Sequence, residues 1–557
     1  MTDSTPTDVL IVGAGPVGLT LACDLARRGV DARVVERADA HPVGTRARGV
    51  RARTQEVLED LGVLGDVTRH AETPLPTRFY DTEGRLVREA TLYEAPPVPG
   101  APYPGSLIVG QQFTEAALRA RLASLGRHVE LGAELTDVAQ DHEGVTASIR
   151  AGGEPRAVRA RYLVGCDGAG STVRKLAGIS FLGETWDRQR MLFGNLGVDG
   201  LDPAVAHMWA TGTGGMVTLY PMPRSRTWFF TAPLPPKDGR DDAPVTLETV
   251  TAAFDRHVGL PGVSFRDAVY LSVYQVNIRM VDRFRRGRVF LAGDAAHVHT
   301  PAGGQGMNTG IQDAYNLGWK LAEALRGAPA SLLDTYEEER KPVAERVLAS
   351  TTARGKSWAG SDTARVSGRI VDAFRGRDPF ADTSQLALTY RGGSLAVDSA
   401  SQIGIRAGDR APDARCTSPA NGERVRLFDL FRGTHVTLLV FGRAPFPHLP
   451  AATRSAVRAH RVLAAGSSPD PSEPALVDSA GEAHDLYGIA DSGLVLVRPD
   501  GHVGMTAEGP DAAAVAAYLR RITAADPSHP APSRAERCAT PVRPRTNPRE
   551  GSDHFRL

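Results

Sequence analysis

"DVLIVGAGPVGLTLACDLARRGVDARVVER", residues 8–37, is the stretch that decides the fold. Its apolar run, 9–12, predicts a buried β-strand, and the periodic apolar positions after Pro16 predict a helix that ends near Arg28. A second strand, "DARVVE", follows directly. A strand, a crossover helix and a second strand are the repeating unit of a parallel sheet, so the stretch predicts an α/β fold.

The turn between strand and helix carries three glycines in the GxGxxG spacing: Gly13, Gly15 and Gly18. Such glycines make a tight turn, let the main chain approach a pyrophosphate, and let the helix pack closely on the strand. Glu36 follows about 20 residues later, where a carboxylate can accept hydrogen bonds from ribose hydroxyls. The combination predicts a dinucleotide site and leaves open whether the dinucleotide is NAD or FAD.

The charge balance and the cysteine positions argue against several classes of protein. The 557 residues include 65 basic and 64 acidic side chains, so no overall charge favours nucleic acid or an anionic membrane as a partner. The four cysteines form no CxxC pair, which argues against a zinc knuckle or a local redox pair. Because the N-terminus is polar and no apolar run reaches about 18 residues, we expect a soluble, cytoplasmic protein.

Two later stretches repeat the pattern of a strand, a glycine-containing turn and a helix. Residues 161–175 read "RYLVGCDGAGSTVRK", in which an apolar strand leads to Asp167-Gly168, although an ordinary strand-to-helix corner would look the same. Residues 288–294, "RVFLAGD", predict a strand that ends in Gly293-Asp294. The stretch "NTGIQDAYNLGWKLAEAL", residues 308–325, then predicts a long helix.

Between that strand and that helix lie His297 and His299, for which two interpretations compete. One is a metal site, but the neighbouring residues supply no carboxylate cluster as further ligands. The other is a corner in which Gly303, Gly304 and Gly306 let the main chain lie against a flat ligand at the positive end of the helix. We favour the second and expect no metal. The histidines are then loop residues, with His299 a candidate for lining the active site.

These three motifs, in this order and at these separations, resemble those of the class A flavoprotein aromatic hydroxylases, the group of para-hydroxybenzoate hydroxylase and phenol hydroxylase. The bacterial polyketide and rifampicin-type hydroxylases look most similar. The resemblance covers about residues 8–350 and, more loosely, the C-terminal part. It implies an α/β fold made of a Rossmann-like FAD-binding domain, an inserted β-sheet substrate domain and a C-terminal thioredoxin-like domain.

The implied division of the chain is as follows. The FAD-binding domain takes residues 1–75, 105–180 and 281–355, the substrate domain 76–104 and 181–280, a helical connection 356–397, and the thioredoxin-like domain 398–525. The remaining tail, 526–557, is rich in Pro, Ser and Arg, and we expect it to be disordered.

The C-terminal pattern predicts a strand "THVTLLVFG", a helix "ATRSAVRAHRVLA" at 452–464, a strand "EPALVD", and two strands in "GLVLVRPDGHVG" joined by a turn. Redox-active thioredoxin-like domains carry CxxC after the first of these strands, whereas this chain has "GRAPFP". We therefore expect no dithiol chemistry here, and a domain that supports the fold or a dimer contact.

The resemblance also assigns residues to the cofactor. Contacts with FAD are implied for Gly13, Gly15, Pro16, Gly18, Glu36, Arg37, Arg46, Gln111, Leu135, Asp167, Asp294, Pro301, Gly304, Gly306, Met307 and Asn308. Catalytic roles are implied for three of them: Arg46 beside the phosphate and the flavin, Pro301 beside the oxygenated flavin, and Asn308 near the moving ring. From the residues alone, Arg46, Arg48, Arg51 and Arg53 could instead form a solvated face.

The implied reaction is a hydroxylation. NADPH or NADH reduces FAD, dioxygen adds at the flavin C4a carbon, and the resulting hydroperoxide delivers an oxygen atom to a phenolic or polycyclic, polyketide-like aromatic, as in antibiotic biosynthesis. Because the sequence has no second GxGxxG, we expect the reductant to bind transiently. Baeyer-Villiger oxygen insertion or oxidative dehydrogenation remain open, as does, more remotely, a non-catalytic nucleotide-binding scaffold. Besides the aromatic substrate and dioxygen, a second copy of the chain is a candidate partner, and neither nucleic acid nor a membrane is expected.

The alternating runs "RTWFFTAPL" and "DAVYLSVYQVNIRM" predict strands of a sheet that roofs the bound ring. Six large apolar residues of this region are pocket candidates: Trp209, Met216, Tyr220, Met222, Trp228 and Phe230. Because most such residues at strand spacing belong to the core, we expect only one or two of the six to touch substrate.

Overall fold

The structure is a computed structural model. It describes residues 6–92, 98–103, 105–213, 215–236, 244–301, 303–358, 381–399, 404–449, 456–470, 473–509 and 511–524. The predicted disordered tail, 526–557, and much of the predicted helical connection lie outside the described residues.

In the first 180 residues, strands and helices are mixed. The strands are β1 (Thr7–Val12), β2 (Ala32–Val35), β3 (Gly49–Val50), β4 (Pro76–Tyr80), β5 (Leu86–Thr91), β6 (Leu107–Ile108), β7 (Val129–Glu130), β8 (Ala133–Gln140), β9 (Val145–Ala151) and β10 (Arg156–Gly165). The helices are α1 (Pro16–Arg27), α2 (Ala52–Asp60), α3 (Leu64–Thr68), α4 (Gln111–Ser124) and α5 (Thr172–Leu176).

Long strands dominate the middle of the chain, and two long helices follow them. The strands are β11 (Phe181–Asp199), β12 (Ala206–Ala210), β13 (Met216–Pro221), β14 (Trp228–Leu234), β15 (Ser264–Val281), β16 (Arg285–Arg286), β17 (Val289–Leu291) and β18 (His297–Val298). The helices are α6 (Leu247–His257), α7 (Gly306–Arg326) and α8 (Asp334–Trp358), with short 3₁₀ turns at Gly293–Ala295, Ala330–Leu333 and Ala381–Ser384.

The C-terminal part is again mixed. Its strands are β19 (Val397–Asp398), β20 (Arg415–Thr417), β21 (Arg424–Arg426), β22 (Val436–Phe441), β23 (Val457–Ala464), β24 (Ala475–Asp478), β25 (Gly493–Val497) and β26 (Val503–Ala507). Its helices are α9 (Leu427–Phe431), α10 (Glu482–Tyr487) and α11 (Ala512–Ile522).

The first sheet has the strand order β16-β17-β10-β1-β2-β7, with β9 also paired to β10 and β8 to β9. The central strand β1 lies parallel to both β2 and β10, as the opening stretch predicts. It is an apolar run because helices cover both faces of a parallel sheet. Helix α7 packs against α1, and Gly318 permits this approach, since a Cβ there would overlap the Asp24 carboxylate. Cys23 and Cys166 are buried in this core.

The second sheet has the order β18-β15-β11-β14-β13-β12-β4-β5. Two distant stretches of chain build it, because β4 lies parallel to β12 while the other neighbours from β11 to β18 pair antiparallel. The sheet is the inserted β-sheet unit that the fold prediction requires. One of its faces looks toward the start of α7.

The third sheet has the order β19-β26-β25-β22-β23-β24-β20-β21. Its centre is a parallel pair, β22 and β23, next to an antiparallel hairpin, β25 and β26, and α11 follows the hairpin. This arrangement is the thioredoxin-like unit that was predicted. Cys416 is buried in it.

One secondary-structure prediction in this unit is wrong. Residues 457–464 of the predicted helix at 452–464 form strand β23, which lies between β22 and β24 and is parallel to both. Val462 and Leu463 are buried there, and the buried Arg461 pairs with Glu473. Hydrogen bonds to two neighbouring strands outweigh the helix propensity of the alanine and arginine residues.

The thioredoxin-like unit docks onto α7 through apolar and charged groups. The indole of Trp319, fully buried, packs among residues of the third sheet and of α11, and its Nε1 donates to Asp500 Oδ2 over 3.2 Å. Arg498 forms an ion pair of 2.6 Å with Glu339 of α8. Among the described residues, no helix combines the length and the apolarity that crossing a bilayer requires.

Candidate active site

One cavity of about 1330 Å³ runs from the glycine turn after β1 to the second sheet. It is lined by most of the residues predicted to contact the cofactor: Gly13, Gly15, Pro16, Glu36, Arg37, Arg46, Gln111, Leu135, Asp167, Asp294, Pro301, Gly304, Gly306 and Met307. The other two, Gly18 and Asn308, are not among its lining residues. The three sequence motifs therefore converge on a single groove.

The three glycines of the first turn are needed for different reasons. Gly13 has φ +102°, and a Cβ there would overlap the carbonyl oxygen of Cys166. A Cβ on Gly18 would overlap the carbonyl oxygen of Gly13, so this glycine lets α1 approach the turn. At Gly15 a Cβ would meet no protein atom within 4 Å. The space beside Gly15 thus belongs to the cavity and fits a group that must lie close to the main chain.

Two carboxylates lie at the end of the groove that contains the glycine turn after β1. Glu36 accepts a hydrogen bond of 3.0 Å from the backbone N–H of Ala14, which orients its carboxylate toward the glycine turn. Asp167 accepts from the backbone N–H groups of Thr172 (2.7 Å) and Val173 (3.1 Å), so it also stabilises the beginning of α5. Both line the cavity, and a carboxylate at the Glu36 position fits ribose hydroxyls.

A buried ion cluster fixes the Gly293–His297 turn. Asp313 of α7 accepts from the backbone N–H of Gly293 (3.1 Å), from His297 Nε2 (2.7 Å) and from Arg340 Nε (2.7 Å). These contacts place Asp294 in the cavity. The surrounding protein raises the pKa of Asp294 through desolvation, which the nearby positive charges of His297 and Arg46 oppose. The role of Asp313 was missed, although a carboxylate on the buried face of an apolar helix is the signal for it.

His299 presents an imidazole nitrogen at the beginning of α7. Its Nδ1 donates to the carbonyl oxygen of Thr300 over 2.8 Å, which leaves Nε2 as an acceptor with no partner among the described residues. Burial lowers the pKa of His299 to about 4, so the ring is neutral near pH 7. Tyr274 holds the same loop by donating to the carbonyl oxygen of His299 over 3.1 Å.

In the described part of the chain, no three His, Cys, Asp or Glu side chains are grouped to hold a metal.

Hydrogen bonds from the side chains of Arg51 and Asn308 fix the glycine corner before α7. Gly303 and Gly304 have φ +99° and +59°, and Arg51 Nη2 donates to the Gly303 carbonyl oxygen over 2.6 Å. Asn308 accepts from the backbone N–H of Arg51 (2.9 Å) and donates to Gly49 and Gly304. The backbone N–H groups of the first turn of α7 have no acceptor within the helix, so they can serve a ligand. Through its hydrogen bonds to Gly49 and Gly304, the Asn308 side chain joins the corner to β3.

The arginines of residues 46–53 do not form the solvated face that was considered as an alternative. Arg51 and Arg53 are buried, and Arg53 pairs with Glu56 over 2.6 Å. Arg46 alone is exposed; it lines the cavity and its Nε donates to Tyr270 Oη over 2.7 Å. Arg48 lies against the rings of the second sheet.

Gln111 begins α4 at the rim of the groove. Its backbone N–H donates to Thr45 Oγ1 over 2.8 Å, and its side-chain Nε2 donates to Glu115 Oε1 over 2.7 Å. Leu135, in β8, also lines the cavity, and its contact with the cofactor stays a prediction.

The second sheet contributes an alternating wall to the cavity. Phe193, Met208, Thr218, Phe229 and Thr231 line it, while their neighbours point to the opposite face. Of the six apolar candidates from the sequence, Met216 lines the cavity, and the other five are buried in the core. That one or two of the six touch substrate stays a prediction.

Comparison with known proteins agrees with this geometry. Residues 6–351 match the family model described as "FAD binding domain", and residues 405–525 match "Aromatic-ring hydroxylase, C-terminal". The first match covers the cofactor groove and the second covers the thioredoxin-like unit. The chain belongs to the FAD-binding aromatic-ring hydroxylases. It is thus a member of a family of flavin-dependent monooxygenases.

Individual relatives extend the match over nearly the whole hydroxylase chain. A flavin-dependent monooxygenase of Mycobacteroides abscessus is 41% identical over 525 residues, which are 92% of this chain and 99% of the relative. The anhydrotetracycline hydroxylase OxyS of Streptomyces rimosus is a structural neighbour, with a TM-score of 0.72, 30% identity, and coverage of 94% of this chain and 100% of that one. Aklavinone-11 hydroxylase in a ternary complex with FAD and aklavinone gives a TM-score of 0.75, 29% identity, and coverage of 94% and 99%.

Proposed function

We propose that this hydroxylase uses NADPH or NADH to hydroxylate a phenolic or polycyclic, polyketide-like aromatic. The observation that carries the proposal is the continuity of the cavity. It joins a dinucleotide turn at Gly15 to an aromatic-lined chamber at Phe193 and Phe229, with the beginning of α7 between them. The names of the tetracycline and aklavinone hydroxylases among its relatives support a polycyclic substrate.

Each region of the groove has its own task in this proposal. Gly13, Gly15 and Glu36 would hold the adenosine and pyrophosphate of FAD, and Asp294 would contact the ribityl or pyrophosphate end. The first-turn N–H groups of Met307 and Asn308 would donate to the pyrimidine edge of the flavin, where the positive end of α7 would favour negative charge. When bound, the flavin supplies hydride acceptance and the C4a activation of dioxygen that the sequence resemblance implies.

The remaining groups position the ligands or exclude water from the reacting ring. Pro301 offers its backbone at the edge of the chamber beside His299, whose unprotonated Nε2 can accept a hydrogen bond there. Arg46 stands at the exposed rim and provides a positive group for the phosphates of a nicotinamide nucleotide that binds transiently. The apolar wall of the second sheet keeps bulk water from the reacting ring.

The first experiment follows the colour of the purified protein. It should show the absorption of oxidised flavin, and NADPH or NADH should bleach it under anaerobic conditions, faster when an aromatic substrate is present. Under ¹⁸O₂, one heavy oxygen should enter the product as a ring hydroxyl. Heavy oxygen in a new ester would instead assign Baeyer-Villiger insertion, and a desaturated product without label would assign dehydrogenation. A colourless protein that takes up no added FAD would contradict the proposal.

A further inference from the structure

Arg48 places a positively charged guanidinium in the cavity, and the proposed function gives this group no role. Its side chain is partly buried, it lines the cavity, and its Nη1 is buried without a hydrogen-bond partner among the described residues. No carboxylate of the described chain lies within ion-pair distance, taken as 4.0 Å, of its guanidinium. A buried donor on a charged group is costly unless an acceptor reaches it.

Two aromatic rings fix the orientation of this guanidinium. The Arg48 guanidinium carbon lies 4.1 Å from the ring centroid of Tyr220 and 5.3 Å from that of Phe229. The donors of a guanidinium lie in its plane, so a group stacked on rings offers its N–H bonds edgewise. The chain on either side is also held, because Val109 N–H donates to the Arg48 carbonyl and Asn308 binds the carbonyl of Gly49. The positive group is therefore preorganised.

Its place in the cavity favours the substrate as the partner. Tyr220 and Phe229 belong to β13 and β14 of the second sheet, on the side away from the glycine turn. The carboxylates that line the cavity lie on other elements: Glu36, Glu134, Asp167 and Asp294. The lining residues that the second sheet contributes include no carboxylate. The second sheet contributes one cation to this wall, Arg190, which donates to the Pro235 carbonyl oxygen over 3.3 Å, and no carboxylate, so Arg48 meets no negative group there.

We propose that Arg48 binds a negatively charged ring oxygen of the substrate, a phenolate or an enolate, and so selects acidic hydroxyaromatics. A nearby positive charge lowers the pKa of a bound phenol. The ring then enters the chamber in its most electron-rich form, which suits electrophilic oxygen transfer. The inference rests on the proposed function, because it requires an aromatic substrate in this chamber.

The titratable and charged groups that line the cavity with Arg48 are Glu36, Glu134, Cys166, Asp167, Asp294, His257, His299, Tyr270, Tyr274, Arg37, Arg46, Arg51, Arg190 and Arg256. His299 is neutral across the useful pH range because burial lowers its pKa to about 4. Burial raises the pKa of Tyr274 to about 12, so this phenol also stays neutral. Neither ring therefore changes charge while a bound phenol is titrated between pH 5 and 9.

The test uses the FAD-loaded protein and the dye alizarin, 1,2-dihydroxyanthraquinone, whose anion absorbs at longer wavelength than oxidised flavin. Wild-type protein should bind the anion at a pH at which the free dye is neutral. Arg48→Gln should raise the pH midpoint of bound-dye ionisation by about 1–2 pH units and weaken anion binding about tenfold or more. Arg48→Lys should retain part of the shift, since it keeps the charge but not the fork.

Two controls separate charge from shape. The dimethyl ether of the dye cannot ionise, so wild type and Arg48→Gln should bind it equally. Arg266→Gln removes an exposed arginine that is paired with Asp199 outside the cavity, and it should leave dye binding unchanged.

Other outcomes would overturn the inference. If wild type binds only neutral dye or none, or if Arg48→Gln leaves the ionisation unchanged, no anion site exists at Arg48. If Arg48→Gln instead weakens FAD binding in a flavin titration and spares the dye, the guanidinium serves the cofactor phosphates. Flavin colour, bleaching by NADPH and ¹⁸O₂ incorporation test the proposed function separately, so its failure would be recognised independently.

Discussion

Gly15 and Gly18 lie three residues apart in the same turn, yet a methyl group would affect different properties at the two positions. The space beside Gly15 is empty of protein atoms within 4 Å, whereas a Cβ at Gly18 would overlap the Gly13 carbonyl. The first glycine therefore serves the ligand, and the second serves the packing of helix on strand.

We expect Gly15→Ala to fold normally and to bind FAD at least tenfold more weakly, about 1.4 kcal/mol, because the methyl group occupies the approach of the pyrophosphate. Gly18→Ala should lower the free energy of unfolding by about 3 kcal/mol through overpacking. Urea unfolding of the apoprotein and a flavin fluorescence titration measure the two effects. Equal loss of stability in both variants would contradict the division of roles.

His299 makes stability depend on pH in a predictable direction. Burial lowers the pKa of His299 to about 4 from an ordinary value of 6.5. Between these values the unfolded chain binds a proton that the folded chain does not, so stability is lost as the pH falls from 6.5 toward 4. The contribution reaches about 1.4 kcal/mol per pH unit.

His299→Gln should remove that slope and leave the slopes of the other groups. Urea unfolding at several pH values between 4 and 7, with wild type alongside, measures it. Because burial also lowers the pKa of His502, His502→Gln should remove a separate part of the slope. Identical pH slopes for wild type and His299→Gln would show that folding does not lower the pKa of His299.

At the scale of single residues, the sequence predicts a functional residue when its partners lie nearby in the chain. Gly13 and Glu36 follow from spacing because the turn and the acid come from one strand–helix–strand unit. Asp313, Arg340 and Arg48 could not be found in that way, since their partners lie on elements far along the chain. The positions of Arg340 and Arg48 in the sequence also resemble those of many other arginines, whereas Asp313 stands out only once α7 is known to be buried.

At the scale of elements, the glycine corner before α7 depends on a side chain from the helix itself. Asn308 bridges the corner, at Gly304, and the segment around β3, at Gly49 and Arg51. We expect this residue to position the main chain against the flavin by holding two elements together.

Asn308→Ala should lower the free energy of unfolding by about 1–3 kcal/mol, because it leaves a buried backbone N–H and two carbonyl groups without this partner. It should also speed FAD release, measured by flavin fluorescence after dilution. Asn421→Ala is the matched control, since Asn421 lies in an exposed turn and bonds Glu423. An Asn308→Ala protein that keeps its flavin as long as wild type would rule out the positioning role.

Elements with strong periodicity could be predicted, and those that depend on neighbours could not. The predicted helices at Pro16 and at 308–325 appear as α1 and α7, because both carry an apolar face. Residues 457–464 read as helix for the same reason, yet β22 and β24 flank them and impose a strand. The location of a strand between two others is a tertiary property that a local window does not contain.

On the scale of the whole molecule, a buried charge cluster joins the thioredoxin-like unit to the FAD-binding part. Glu339 of α8 accepts from Arg498 at 2.6 and 2.9 Å and from Lys320 at 2.7 Å. Burial lowers the pKa of Lys320 to about 8, and the charge of Glu339 opposes this shift. All three side chains are almost inaccessible to solvent, so each depends on the others.

Glu339→Gln should lower the free energy of unfolding by about 3–5 kcal/mol, because it leaves the buried Lys320 without its carboxylate and Arg498 with Asp500 as its remaining one. Calorimetry should also show a separate early transition, as the docking of the C-terminal unit weakens. Glu345→Gln, at an exposed position of the same helix, should change neither quantity. A single unshifted transition in Glu339→Gln would mean that the apolar contacts around Trp319 suffice to hold the unit.

The fold class could be predicted from three motifs and a family resemblance, and the FAD-binding and aromatic-ring hydroxylase matches confirm it. The domain boundaries stay a prediction. The docking of the third unit could not be predicted in the same way. It depends on Trp319 and Glu339, which the sequence places inside an ordinary helical pattern.

The buried thiols have a chemical consequence for an enzyme that handles dioxygen. Burial raises the pKa of Cys23 and of Cys416 to about 12, and it raises that of Cys166 as well, so these sulfurs stay protonated. Hydrogen peroxide attacks thiolates far faster than thiols. If reduced flavin reacts with dioxygen without substrate and releases peroxide, these three sulfurs would therefore react with it only slowly.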